Sequence, residues 1–459
     1  MKKTVLFCLL LAPILGLAQN NTLLRADFWK TNPDLAAVKA EIAKGNKPSE
    51  ANGGNFDVVT MAINNNATTE IIKYLVSQDG NGVGKKTHDG RIYLHWAASR
   101  GNIEVVKYLL EKGADINFGD DRGTIPLVYA LANGQTNTAV YEVLFKAGNN
   151  PKQKFQNGAS LLLLGIANDK ELVLSEYLVT KGLSYTDTDD LGRTAFDYAA
   201  RSGNLELLKK LKAKGVKHSN QALLFAAQGG RGGAAKQEVY QYLVEELKIP
   251  ATAVGENDET ILPYLVRRPN QQETIQYFLN KGVDINKADK KGETALTHAV
   301  QFSTAEMVGW LLDKGASVVV NSKEGNLGYY LLQSYRSPRA GETPIDFTNK
   351  LNLLIAKGVN LNTAQPDGNT LYHLAVAKND IQLFQLLAPL KIDINAKNKD
   401  GMTALHRAAL VAKDDQLLKY LVSIGAKKEL LTELDETAYD LAKENGFLKE
   451  KKVGLDFLK

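Results

Sequence analysis

The sequence predicts an all-α solenoid of helix-turn-helix units joined by β-turn finger linkers, and three observations predict it. Between Asp89 and Asn117 the chain reads DGRIYLHWAASRGNIEVVKYLLEKGADIN. Looser copies begin at Lys290 (KKGETALTHAVQFSTAEMVGWLLDKGASV), Asp367 (DGNTLYHLAVAKNDIQLFQLLAPLKIDIN) and Asp400 (DGMTALHRAALVAKDDQLLKYLVSIGA). Glycines keep the period: Gly90, Gly123, Gly158 and Gly192 are 33, 35 and 34 residues apart. Each good copy also holds two short apolar-periodic segments, such as Ile92–Ser99 and Ile103–Glu111, split by Arg100-Gly101-Asn102 and closed by Gly113. Regular spacing of this length marks stacked repeats, and 459 residues exceed what one compact core usually organises.

The first element in chain order is a secretory signal over residues 1–18. Lys2 and Lys3 precede an apolar run from Val5 to Leu17, and Gly16 and Ala18 stand at the spacing a signal peptidase reads. Cleavage is expected after Ala18, with Sec export to the periplasm as the first destination and secretion as the second. The run is too short to span a bilayer comfortably and is broken by Pro13, so no membrane span is expected once the signal is removed. Cys8 is the only cysteine and lies inside the run. A mature chain without it has no disulfide, no thiolate metal site and no thiol nucleophile. The formal charge of +5 falls to +3 without Lys2 and Lys3, and its basic residues are interleaved with acids. That argues against nucleic acid as a partner.

Residues 19–55 are expected to form an N-terminal helical cap, with Leu23–Lys47 as its helical part. The array follows over residues 56–448 in about twelve units, and 449–459 form a tail. Where Thr stands in the place of Ile92, as at Thr194, Thr294, Thr370 and Thr403, its hydroxyl can cap the first helix. Pro126 sits one place further on, where a missing N–H costs nothing. Glycines after second helices, among them Gly113, Gly282 and Gly425, suit a left-handed C-terminal cap. Linkers such as ADINFGDDRG carry the Asp, Asn and Gly that favour turns. Ala97 and Ala98 let first helices approach closely, while Val105, Val106, Leu109 and Leu110 supply an apolar face. Burying four such side chains contributes on the order of 6 to 12 kcal/mol gross, mostly offset by ordering the chain. One pair alone is marginal, so stability must come from stacked neighbours.

The pattern resembles the ankyrin repeat. The matching positions are Leu94-His95-x-Ala97-Ala98, Gly101-Asn102, Val105-Val106, Leu109-Leu110 and Gly113-Ala114-Asp115-Ile116-Asn117. The resemblance implies an all-α ankyrin-repeat solenoid, here of an exported, bacterial periplasmic type. It also implies that His95, His373 and His406 are structural, with one ring nitrogen bonded within its own turn and the other reaching the neighbouring finger. His298 falls one place later in its repeat. Histidines a repeat width apart cannot share a metal ion, because zinc needs its ligands near 2 Å.

Two insertions enlarge the same turn, at 228–237 and 333–346. Drift accounts for both, since loops tolerate insertion cheaply. The alternative is a secondary contact surface on the edge opposite the fingers. The acidic pairs Asp120-Asp121, Asp189-Asp190 and Asp414-Asp415 lie in polar turns or at helix ends, with no His, Ser or Lys at catalytic spacing. No phosphate loop or complete calcium loop is present in the sequence. No cofactor and no metal are therefore expected. Trp96, Tyr129 and Tyr198 share one repeat-equivalent site on the first helix; they either fill core space or form a stripe of binding anchors.

The expected function is a non-enzymatic interaction scaffold, monomeric, that binds an unidentified partner protein through the concave face. In the ankyrin family, contacts come from finger tips and the outer side of first helices. Carried over by position, these are Asp89, Arg91, Ser99 and Arg100; Phe118, Asp121, Arg122 and Thr124; Leu191, Arg193 and Arg201; Lys290, Lys291, Glu293 and Phe302; and Asp400, Met402 and Leu410. The alternatives are a regulatory or protective accessory subunit of an exported enzyme, and a secreted effector that engages host proteins.

Overall fold

A computed structural model describes residues 21–230, 233, 235–339 and 342–459. The signal segment and its cleavage site lie outside them. Helices Ala26–Lys30 and Leu35–Ala43 come first, followed by twelve helix pairs. Among the best formed are Tyr93–Arg100 with Ile103–Glu111, Ala295–Phe302 with Ala305–Asp313, and Ala404–Val411 with Gln416–Ser423. The last pair, Ala438–Glu444 and Gly446–Glu450, runs past the boundary expected at 448, because Asn445 caps a second short helix and buries Leu448. Among the described residues there are no strands, only isolated bridges such as Ala51 to Asp57 and Thr188 to Thr194.

The chain divides into two compact units, one reaching to Ala199 and taking in Glu206–His218, the other comprising Ala200–Leu205 and Ser219–Lys459. Within each, first helices pack on first helices, and Ala97, Ala98, Ala299, Ala408 and Ala409 are buried at those contacts. Val105, Val106 and Leu109 are also buried, whereas Leu110 is only half-buried at the edge of the apolar stripe.

Several fingers are closed turns built by the same two devices. The backbone folds onto itself, as from the Asp120 N–H to the Thr124 carbonyl (3.0 Å) and from Asp289 to Glu293 (2.9 Å). One polar side chain then bridges the turn: Oδ1 of Asp120 accepts from the N–H groups of Arg122 and Thr124, and Oδ1 of Asp289 from those of Lys291 and Glu293. Successive fingers are tied tip to tip, with Asp121 N–H donating to the Asp89 carbonyl (3.0 Å) and Lys399 to Asp367 (3.1 Å). Gly368, at φ +82°, sits at such a junction, where a Cβ would lie 2.8 Å from the Lys399 nitrogen. Both the left-handed backbone and the close approach require glycine there.

Threonine caps the first helices as the sequence predicts. Thr294 exchanges bonds with Thr297, and Thr194 with Asp197. At Thr370 and Thr403 the partner is the repeat histidine. Nδ1 of His373 lies 2.8 Å from the Thr370 hydroxyl, and its Nε2 2.9 Å from the Met402 carbonyl in the next finger. His406 repeats this with Thr403 (2.9 Å) and the Leu430 carbonyl (2.9 Å). His95 reaches the Thr124 carbonyl (2.9 Å), but Ile92 offers no hydroxyl, and its Nδ1 is without a side-chain partner. Burial holds all three imidazoles below the usual histidine range, in keeping with neutral rings.

Candidate protein-docking surface

The residues expected to meet a partner do not form one class. In the first unit Arg91 is only 7% exposed. Its guanidinium pairs with Asp120 (3.1 Å) and Asp89 (3.0 Å) and lies over the rings of Tyr129 (4.5 Å) and Trp96 (5.4 Å). Burial works against the Asp120 charge. The backbone N–H groups of Thr124 and Arg122, with Arg91, outweigh it and hold the carboxyl below its usual range. Arg193 is held in the same way, 2.5 Å from Asp189 and over Tyr198, whose hydroxyl also donates to Asp189. Arg91 and Arg193 are therefore struts of their fingers. Their sequence positions match contact sites, but an aspartate that closes a turn captures each arginine, Asp189 the Arg193 of its own finger and Asp120 the Arg91 of the finger before.

Trp96, Tyr129 and Tyr198 are buried and fill core space; Trp96 donates its indole N–H to Thr87 (2.9 Å). Phe118 is half-buried, edge-on to His95 and beneath the Lys86 ammonium (5.5 Å). Thr124 is half-buried, and its carbonyl receives His95. Ser99 is half-buried and donates to the Trp96 carbonyl (3.0 Å). Asp121, Arg122, Leu191 and Arg100 are exposed. Arg100 rests on Asn64 (3.1 Å), while the Arg122 guanidinium has no ion pair among the described residues.

In the second unit Lys290, Lys291 and Asp400 are exposed, as are Phe302 at 48% and Leu410 at 41%. Arg201 lies over Phe225 (4.5 Å) and donates to Gln228 (3.1 Å). Met402 is half-buried, with its carbonyl committed to His373. Glu293 is not a free contact: it faces His298 (3.5 Å) and accepts from the Tyr330 hydroxyl (3.1 Å).

His298 joins a cluster that the repeat pattern conceals. Because Thr297 already completes the cap of Thr294, the next ring is free to accept on Nδ1 from Arg267 (2.6 Å), which also stacks on Phe302 (4.3 Å). Burial, reinforced by Arg267 and Lys291, pushes His298 down to about 3. The sequence signal was Arg267 itself, in a place where repeats carry small or apolar residues.

Among the described residues no three or more His, Cys, Asp or Glu side chains converge as a metal site would require, and no helix is long and apolar enough to cross a membrane. What the surface offers is varied exposed side chains on a repeated frame, the mark of a repeat protein that works as an interaction scaffold.

Comparison with known proteins gives the frame its family. A family model described as ankyrin repeats in three copies matches residues 59–153, 127–222, 223–322 and 346–432, well over half the chain. The chain belongs to the ankyrin-repeat family, whose repeats serve protein interaction and are generally non-catalytic. It is 24% identical over 359 residues to the human transient receptor potential cation channel subfamily A member 1, covering 74% of this chain and 31% of that protein. It is 23% identical over 372 residues to alpha-latroinsectotoxin-Lt1a of Latrodectus tredecimguttatus, covering 78% and 20% respectively. The ankyrin repeat protein YahD of Escherichia coli K12 is 29% identical over 188 residues, 38% of this chain and 84% of YahD. The chain thus spans less than a third of the first two relatives.

Proposed function

We propose that this protein is an exported, monomeric, non-enzymatic scaffold that binds a partner protein through the surface formed by its finger tips and first helices. The observation that carries the reading is the division just described: the frame's own charges are paired inside the fingers, whereas Arg100, Arg122, Lys290, Lys291, Phe302 and Leu410 project from it without repeating from unit to unit. A non-repeating set suits one specific ligand rather than a periodic polymer, and argues against nucleic acid. The relatives, a channel subunit and a toxin among them, place ankyrin repeats in proteins of unrelated activity, so the partner follows from the exposed set and not from the family.

The signal pattern of residues 1–18 puts the protein in the periplasm first and outside the cell second. Fractionating the producing cells tests this, and recovery only from the cytosol rejects export. The binding face is tested by affinity capture from the exporting compartment with Arg100, Arg122 and Lys291 changed to Glu. Loss of the partner supports this surface; unchanged recovery rejects it. Arg91 and Arg193 are unsuited to that test, because reversing their charge disrupts the fingers themselves.

A further inference from the structure

A groove of about 490 Å³ opens between the pair Leu371–Ala375 and Ile381–Leu387 and the pair Ala404–Val411 and Gln416–Ser423. Its floor is apolar, with Val376, Ala412 and Leu417, and its walls carry Lys378, Arg407 and Lys413. No carboxylate lines it. The second insertion adds to the same charge. Tyr335 is buried and anchored by its hydroxyl on Asp380 (2.7 Å), its carbonyl accepts from the Lys378 ammonium (3.4 Å), and Arg336 follows it in the chain.

The neighbouring acids are already engaged. Asp380 takes the Tyr335 hydroxyl and caps Gln382, Asp414 caps Gln416, and Asp415 pairs with Lys419 (2.6 Å). Arg407 donates to the Asn369 side-chain carbonyl (3.1 Å), and Lys413 lies 5.9 Å from the centre of the Phe447 ring. Neither they nor Lys378 nor Arg336 form an ion pair among the described residues, unlike Lys350, Lys357 and Lys419 of the same unit. Burial, with Arg336 nearby, lowers the Lys378 pKa, which shows that the site bears a cost for holding its charge. A groove lined by three basic side chains and no carboxylate is complementary to an anionic ligand.

We infer that this groove is a docking site for an acidic peptide segment of another protein, one that places an apolar side chain on the Val376, Ala412 and Leu417 floor and carboxylates against Lys378, Arg407 and Lys413. A nucleic-acid backbone meets the charge but offers nothing to the apolar floor, and the chain's basic residues form no continuous field for it. The site rests on the scaffold reading, but its lysines, Lys378 and Lys413, lie in the turns between paired helices and not at finger tips. It gives the second insertion a role that drift does not.

Fluorescence polarisation of the full mature chain with a labelled Glu-Glu-Leu-Glu-Glu peptide tests the inference, against Gln-Gln-Leu-Gln-Gln as control and a single-stranded oligonucleotide as competitor. Saturable binding of the acidic peptide is expected, weakened by salt and at least about tenfold weaker for Lys378→Gln/Lys413→Gln. That pair of changes spares the Arg407 bond to Asn369; Lys413→Gln alone is a second variant should the first unfold. Binding no better than the Gln peptide, or unaffected in a folded variant, overturns the inference, and so does preferential binding of the oligonucleotide. Partner capture that survives the groove variant but fails with the finger variant rejects the groove and leaves the scaffold standing. Failure of the finger variant to alter capture, with the peptide still bound here, rejects only the finger surface.

Discussion

Arg91 and Lys413 are both basic residues beside a repeat turn, yet the first unit makes one a structural strut and the second leaves the other as a surface charge. At Arg91 the next finger supplies Asp120, whose carboxylate is already fixed by two backbone N–H groups, and the aromatic faces of Trp96 and Tyr129 complete the seat. At Lys413 the adjoining acids, Asp414 and Asp415, serve the next helix instead. A positive charge in a repeat is therefore not a contact site by position alone. What decides is whether the turn beside it has a carboxylate to spare.

That contrast can be broken by stability measurements, and the largest expected effect lies at Arg91. Arg91→Glu leaves Asp120 without its partner and adds a like charge beside it, at a cost of about 3 to 5 kcal/mol to the first unit. Urea unfolding followed through tryptophan emission reads it, from Trp29 and Trp96 in the first unit and Trp310 in the second, whereas Lys413→Glu should move the second unit by less than about 1 kcal/mol. Equal destabilisation by the two would erase the distinction. Core truncation by Leu109→Ala, at a fully buried position, should cost about 2 to 5 kcal/mol by the same probe.

An acid titration sharpens the comparison on the second unit. His298 is held at about 3, below its ordinary value near 6.5, so the folded state binds fewer protons than the unfolded state between those limits. Its contribution is present above about pH 6.5 and is lost as pH falls toward 3, by at most about 1.4 kcal/mol per pH unit. His298→Gln should flatten that slope, leaving the shares of His373 and His406; an unchanged slope would show that Arg267 and Glu293 rearrange to accept the imidazolium. Thr403→Ala, which removes a helix cap, should cost about 1 kcal/mol in urea unfolding. Arg122→Glu, an exposed and unpaired change, should cost within about 0.5 kcal/mol and act on binding alone.

Much of this was legible in the chain. Glycine spacing, the paired apolar segments and the threonines before several first helices are local signals, and local backbone chemistry enforces them, so most helices, caps and fingers fall where the pattern puts them. For His373 and His406 the resemblance implied a structural role, and their bonds to the threonine three residues earlier and to the next finger agree with it. The surface was read less well. Arg91, Arg193 and Glu293 were assigned outward by analogy of position, and Trp96 could be placed neither in nor out of the core.

The sequence by itself determined the period, the helix-turn-helix unit and the family, since each follows from residues a few positions apart repeated many times. Only the tertiary structure decided which charges are neutralised and which remain for a partner. Asp89 and Asp120 close on Arg91 from successive fingers, Arg267 reaches His298 from the preceding repeat, and the insertion brings Arg336 beside Lys378. Apart from Asp89 with Arg91, each pairing joins residues about one repeat or more apart, and whether such a charge is spent inside the frame depends on side chains meeting across that distance, which no single copy of the repeat contains.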